Sequence, residues 1–255
     1  MPGPELSPCA AELRRHDPDR FLTALFAPED RREALFALYA FNLEVARVRE
    51  AVTEPMLGRI RLQWWREAIE GIYAGSPRRH YVIDPLAGAV ARHGLSRDLF
   101  DRLLDTREAD MEPEGPETLV ALRDYAEGSS STLVELAIEL LSDGAPGPEL
   151  RQAGRRVGIA WALVGLLRAV PFHARQRRLY LPADLVDEAG LQLRDLFELR
   201  SVPALASVVK QVAEAARAEL EAGRAGPRPP RRLLPALLPG ALAGLYLKRL
   251  AAAGY

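Results

Sequence analysis

Lysine is nearly missing from this 255-residue sequence: Lys210 and Lys248 stand alone, and arginine supplies the rest of the positive charge. Cysteine is scarcer still. Cys9 is the single thiol, so an internal disulfide is excluded, and no Cys/His grouping has zinc-ligand spacing. The formal net charge of -1 argues against nucleic acid as the main partner, because phosphate binding needs a clear basic excess somewhere on the surface. The opening "MPGPELSPCAAELRRHD" has no apolar signal core, and its prolines and acids do not suit an amphipathic presequence. No export or organelle signal is read there, and a cytoplasmic location is expected. The longest apolar stretch, 233–253, is interrupted by Pro235 and Pro239 and carries Lys248 and Arg249, so an unbroken membrane span of about 20 residues is not expected. A soluble protein follows, or one peripheral on the inner face of the cytoplasmic membrane.

Alternating β-branched runs with hairpin signals are also absent, whereas helical periodicity runs through almost the whole chain. An all-α fold is expected, and 48% hydrophobic residues suffice for a substantial core. Pro28, Glu29 and Asp30 place a proline and two acids at a helix start, and that helix is expected to reach Val52. Further helices are expected from Pro55 to Gly75, Pro85 to His93, Ser96 to Met111 and Glu117 to Leu141, the last kinked by Gly128 and the serines behind it. After the break "DGAPGP" at 143–148, a helix is expected from Pro148 to Arg168, stopped by Pro171. It is apolar all round from Val157 to Leu167, and Gly154, Gly158, Ala162 and Gly165 let neighbouring helices come close. A helix from Pro203 to Ala222 and another from Pro239 to Ala253 complete the pattern. The organisation expected is an N-terminal extension at 1–16, a helical domain at 17–222, a basic linker at 223–232 and a C-terminal apolar helix at 233–255.

Three segments, "LFALYAFNLEVARVREAV", "LRDYAEGSSSTLVELAIELL" and "GIAWALVGLLRAVPFHARQRRLYLP", resemble the squalene and phytoene synthase family in content, order and separation, over roughly residues 20–220. The resemblance implies an isoprenoid-synthase-like helical bundle around a central cavity, where two aspartate-rich motifs face one another and bind magnesium. Ionising a prenyl diphosphate requires the developing pyrophosphate charge to be neutralised, and Mg²⁺ held by carboxylates and phosphate oxygens does this. The positions matching the first motif are Ala46, Arg47, Val48, Arg49 and Glu50, so one carboxylate remains and two arginines have entered. The second motif normally reads like "LRDVGED"; here it is Leu167, Arg168, Ala169, Val170, Pro171, Phe172 and His173, without either aspartate.

Losing one contact of this type costs on the order of 10²- to 10³-fold in rate. No catalytic residue, metal or cofactor is therefore expected. The substituted motifs resemble the non-catalytic branch of the family that includes mitochondrial complex I assembly factor 6. That resemblance implies a role in assembling respiratory complex I (NADH:ubiquinone oxidoreductase), with complex I subunits or other assembly factors as partners. Two alternatives stay open. One is a Mg²⁺-dependent prenyl diphosphate transferase with a compensating carboxylate cluster; the other is a prenyl-lipid or quinone binding protein that reuses the apolar cavity.

Tyr39, Arg47, Arg168, Arg178 and Tyr180 are the candidates for holding an anion or a prenyl diphosphate. Arg175, Arg177, Arg178 and Tyr180 match the family's "RGRxYLP" segment; they either keep an anion site or pair with Asp184 and Asp187. Asp110 and Asp124 are the remaining acids within reach of a cavity. His173 is read as a structural or partner-contacting residue or as a ligand, with no second histidine beside it. Asp98, Asp101, Asp105, Glu108 and Glu112 form an acidic stripe, read as a solvated helix face or a contact for a metal or basic partner. The adjacent Trp64 and Trp65 point in different directions, so at least one packs in the core and the other packs or marks a binding surface. Arg224, Arg228, Arg231 and Arg232 precede the apolar tail, which closes the bundle or lies on a membrane surface.

Overall fold

The computed structural model describes residues 6–142, 145–226 and 228–255, and these form helices and no strand. Helix α1 (Pro8–His16) starts where the Ser7 side chain accepts from the Ala10 N–H, and α2 (Pro18–Ala24) starts on Asp17 in the same way. Next come α3 (Glu29–Ala46), α4 (Pro55–Tyr73) and α5 (Ile83–His93), which closes on Gly94 in the left-handed region at φ 64°. Then α6 (Arg97–Arg107) tightens into a 3₁₀ turn at Glu108–Met111. Helix α7 (Leu119–Ala126) is capped by Thr118, and a π turn at Glu127–Ser131 joins it to α8 (Thr132–Leu141). The chain ends with α9 (Pro148–Arg175), α10 (Ala183–Glu188), α11 (Leu193–Phe197), α12 (Pro203–Arg224) and α13 (Leu234–Ala252).

Two apolar clusters make the core. One gathers α1, α4, α5, α6 and α8 around α3, the other α7, α10, α12 and α13 around α9. The central helix α9 packs on α7, α8, α12 and α13 and on the π turn. Close approach to that turn depends on Gly158, where an added methyl group would collide with the backbone of Ser131. Gly165, in contrast, faces open space.

Four features differ from the sequence reading. Residues 8–16 of the expected extension form α1, with Cys9, Ala10 and Leu13 buried; residues 1–5 lie outside the described residues. Helix α3 stops at Ala46 instead of Val52, and residues 47–51 turn back on themselves, with the Ala51 N–H donating to the Arg47 carbonyl at 3.0 Å. Helix α9 runs straight through Pro171 to Arg175. A proline there forfeits one helical hydrogen bond and costs about 3 kcal/mol, and burial along α9, with Ala174 beyond the proline also in the core, offsets it. Residues 223–224 of the expected linker belong to α12, and 231–232 to a 3₁₀ turn leading into α13, which begins at Leu234 instead of Pro239; residue 227 lies outside the described residues, as do 143 and 144 of the "DGAPGP" break.

The prolines of the tail do not interrupt it either. By length and composition alone, Arg231–Ala252 and Pro148–Arg175 are each apolar enough to cross a membrane, although half of the apolar window of α9 is buried inside the protein.

Candidate functional site

The bundle brings the two substituted motifs together. A cavity of about 190 Å³ is lined by Ala46 and Glu50 from the end of α3 and its turn, and by Ala169 and His173 from α9. Arg49, Arg107, Tyr125, Gln176, Arg178 and Tyr180 complete its walls with Asp110 and Leu166. The turn at 47–51 decides which arginine enters. Arg49 lines the cavity, whereas Arg47 is exposed and lines an adjoining groove with Trp64, Trp65 and His80, Glu50 being common to both.

Asp110 organises one wall. Its carboxylate accepts from Tyr125 Oη at 2.7 Å, Tyr180 Oη at 3.2 Å and Arg107 Nη1 at 3.3 Å. Arg107 also donates to Tyr125 Oη at 2.8 Å, and Arg178 donates to the Asp110 and Glu112 carbonyls at 2.7 and 3.3 Å. Burial raises the Tyr125 and Tyr180 phenols above their ordinary range, so both keep their protons as donors. Burial and then Arg178 lower His173 to about 4, against the opposing pull of Asp110, so its ring is neutral at pH 7. Burial pulls Arg107 down, but Tyr125 and Asp110 outweigh it and hold the guanidinium above its ordinary value.

This donor set does not fit magnesium. The ion wants several free oxygen ligands, yet the carboxylates lining the cavity are Glu50, exposed at its rim, and Asp110, already engaged by three donors. No group of three or more acidic, histidine or cysteine side chains with metal-binding geometry occurs among the described residues. The buried polar atoms without a partner on the cavity's lining residues are Arg49 Nε, Arg107 Nε and His173 Nδ1, which are cationic donors and an imidazole nitrogen.

The squalene/phytoene synthase family profile matches residues 13–255. The chain belongs to this family. It is 31% identical to the complex I assembly factor 6 of Bos taurus over 95% of this chain and 72% of that protein, and 30% identical to the Homo sapiens protein over 88% and 72%. It is also 28% identical to the presqualene diphosphate synthase of Rhodopseudomonas palustris, over 82% of this chain and 74% of that one. Among solved structures, the squalene synthase HpnC from Alicyclobacillus acidocaldarius shares the fold, with a TM-score of 0.83 at 20% identity over 97% of this chain and 93% of that one.

Two more of the residues expected at the site of a squalene/phytoene synthase family member, Tyr39 and Arg168, do not line the cavity. Tyr39 is buried under Arg20, whose guanidinium sits 5.9 Å from its ring and 5.8 Å from that of Trp161. Arg168 faces away from the cavity, pairing with Asp19 at 3.0 Å and stacking 3.8 Å from the Tyr246 ring. Asp124 is exposed, and Arg178 bonds backbone carbonyls instead of Asp184 or Asp187. The acidic stripe meets arginines of this same chain: Arg66 pairs with Asp105 and Glu108, and Arg59 with Glu112. Trp65 is core, edge-on to Phe41, while the half-buried Trp64 lines the groove with Arg47. Arg107 and Tyr125 escaped the sequence reading; Tyr125 stands inside the family-like segment "LRDYAEGSSS", which was the available signal.

Proposed function

We infer that this chain acts in the assembly of respiratory complex I and carries out no prenyl transfer. The observation that carries the reading is the cavity itself, where Ala46, Ala169 and His173 stand together with Glu50 at the motif positions and Arg49 enters between them. A prenyl diphosphate needs its leaving group neutralised, and two alanines and a neutral imidazole do not hold the cation for that purpose. The complex I assembly factor 6 relatives, at 30 to 31% identity in three mammals, support the partner side of the reading. Its partners are then complex I subunits or other assembly factors. Peripheral contact with the cytoplasmic membrane belongs to the same reading, because α13 exposes Leu245 beside Lys248 and Arg249.

Deleting the gene in a host that has complex I tests this directly, with assembled complex measured on native gels by NADH dehydrogenase activity. The expected result is loss of the assembled complex, restored by the wild-type gene and equally by Glu50→Gln. Intact complex I in the deletion strain would sink the assembly role. Metal-dependent pyrophosphate release from farnesyl or geranylgeranyl diphosphate by the purified protein would sink the claim of inactivity.

A further inference from the structure

Helix α13 has two unlike faces. Pro235, Ala236, Pro239, Gly240, Ala243 and Leu247 are buried against the bundle, and beside them Tyr246 donates to the Asp19 carboxylate at 2.8 Å. Leu234, Leu238, Ala241 and Leu245 recur at alternating helical spacings and form one row on the opposite side, where Leu234 is 40% exposed and Leu245 56%. The row is bracketed by Arg231, in the 3₁₀ turn before α13, and by Lys248 and Arg249 near its end. All three cations are exposed and have no acidic partner among the described residues. Their surroundings in the chain carry one sign of charge: residues 222–255 hold six cations and no acid, in a protein whose net charge is -1.

The surface that complements this face is anionic above and apolar beneath, which describes a bilayer containing acidic lipids. The row consists of leucine and alanine and lacks the aromatic anchor that centres most protein interfaces. By length and composition α13 is apolar enough to cross a membrane. Crossing, however, would strip its buried face from α9 and α12 and pull Tyr246 from Asp19. We propose that α13 lies flat in the surface of an anionic membrane, with the Leu234–Leu245 row among the upper acyl chains and Arg231, Lys248 and Arg249 on the headgroup phosphates. This rests on the peripheral membrane contact in the reading of function and gives that contact its face, its orientation and its lipid class; the complex I role stands apart from it.

Co-sedimentation of the purified full chain with phosphatidylcholine vesicles, and with vesicles in which about 30% of the lipid is phosphatidylglycerol, tests the proposal. The expected result is binding at least about tenfold tighter to the anionic vesicles, released by salt at about 0.5 M. Leu245→Asp and the double change Lys248→Glu with Arg249→Glu alter exposed side chains, so melting temperatures should hold while binding weakens at least about tenfold. Met56→Asp, which changes an exposed apolar residue on α4, leaves binding unaltered. Equal binding to both vesicles, retention in high salt, or full binding by Leu245→Asp would each overturn this face and orientation while leaving a peripheral contact in place. No binding to either vesicle would remove the membrane contact and the proposal together, and the complex I role would still be decided by the deletion strain.

Discussion

The rings of His173 and Tyr180 lie with their centroids 4.4 Å apart, tilted by 41°. The phenol donates to Asp110, so the imidazole at a motif position packs against a wall that is already hydrogen-bonded. Electrostatically, this is a place for a neutral ring.

The pH dependence of stability follows. The folded value of about 4 lies below the ordinary value of 6.5, so the folded state favours the uncharged ring. The contribution is complete above pH 6.5 and is lost as pH falls from there through about 4. After allowing for the partial exposure of the ring, wild type should lose about 1–2 kcal/mol more than His173→Gln between pH 7.5 and 4. Urea unfolding of both proteins across that range checks it; parallel acid limbs would mean the ring titrates normally.

Asp110 is the keystone of the cavity wall. Asp110→Ala leaves Arg107, Tyr125 and Tyr180 without their shared acceptor, and the expected loss is about 3–5 kcal/mol. Tyr180→Phe removes one 3.2 Å bond and should cost about 1 kcal/mol. Chemical denaturation that ranked the two changes equally would contradict this network.

Glu219 on α12 is buried and receives Arg123 from α7 and Arg156 from α9, the latter at 2.8 Å. Both arginines keep about a third of their side chains in solvent, so Glu219→Ala should cost about 2–3 kcal/mol, below the full penalty for a sealed pair. The exposed Arg194–Glu198 pair is the control, and Arg194→Ala should cost less than about 0.5 kcal/mol. Melting curves of the two variants compare them directly.

Glycines on one helix should diverge. Gly158→Ala drives a methyl group into the Ser131 backbone and should destabilise by about 1–3 kcal/mol. Gly165→Ala meets nothing and should stabilise by up to about 1 kcal/mol through helix propensity. A shift of both melting temperatures in the same direction would refute the packing described for α9.

The helical class and most of the long helices were legible because each leaves a periodic or capped pattern within a dozen residues, whereas the paired motif positions came from the resemblance to the family. Helices α1, α2, α10 and α11 span nine residues or fewer, too short for periodicity to stand out. Pro171 misled because a local rule was overridden by the packing of the rest of α9. The exchange of Arg47 for Arg49 turns on where α3 ends, and tertiary contacts set that end: Val48, inside the turn, is buried in the core. Asp110 drew its partners from 3, 15 and 70 residues away, distances over which no spacing rule operates.

Asp19 on α2 receives both Arg168 of α9 and, across 227 residues, Tyr246 of α13 at 2.8 Å. A chain leaving the ribosome exposes α2 at the start and α13 near residue 250, with the apolar α9 emerging between them. Its partners α12 and α13 follow it in the chain, so the face of α9 that they cover stays open until they are made, while α7, α8 and the π turn already cover the other side. Long-range closure of this kind delays folding and lengthens the exposure of sticky surface. The clasp at Asp19 therefore joins segments from opposite ends of the fold, and it is among the last contacts that can form.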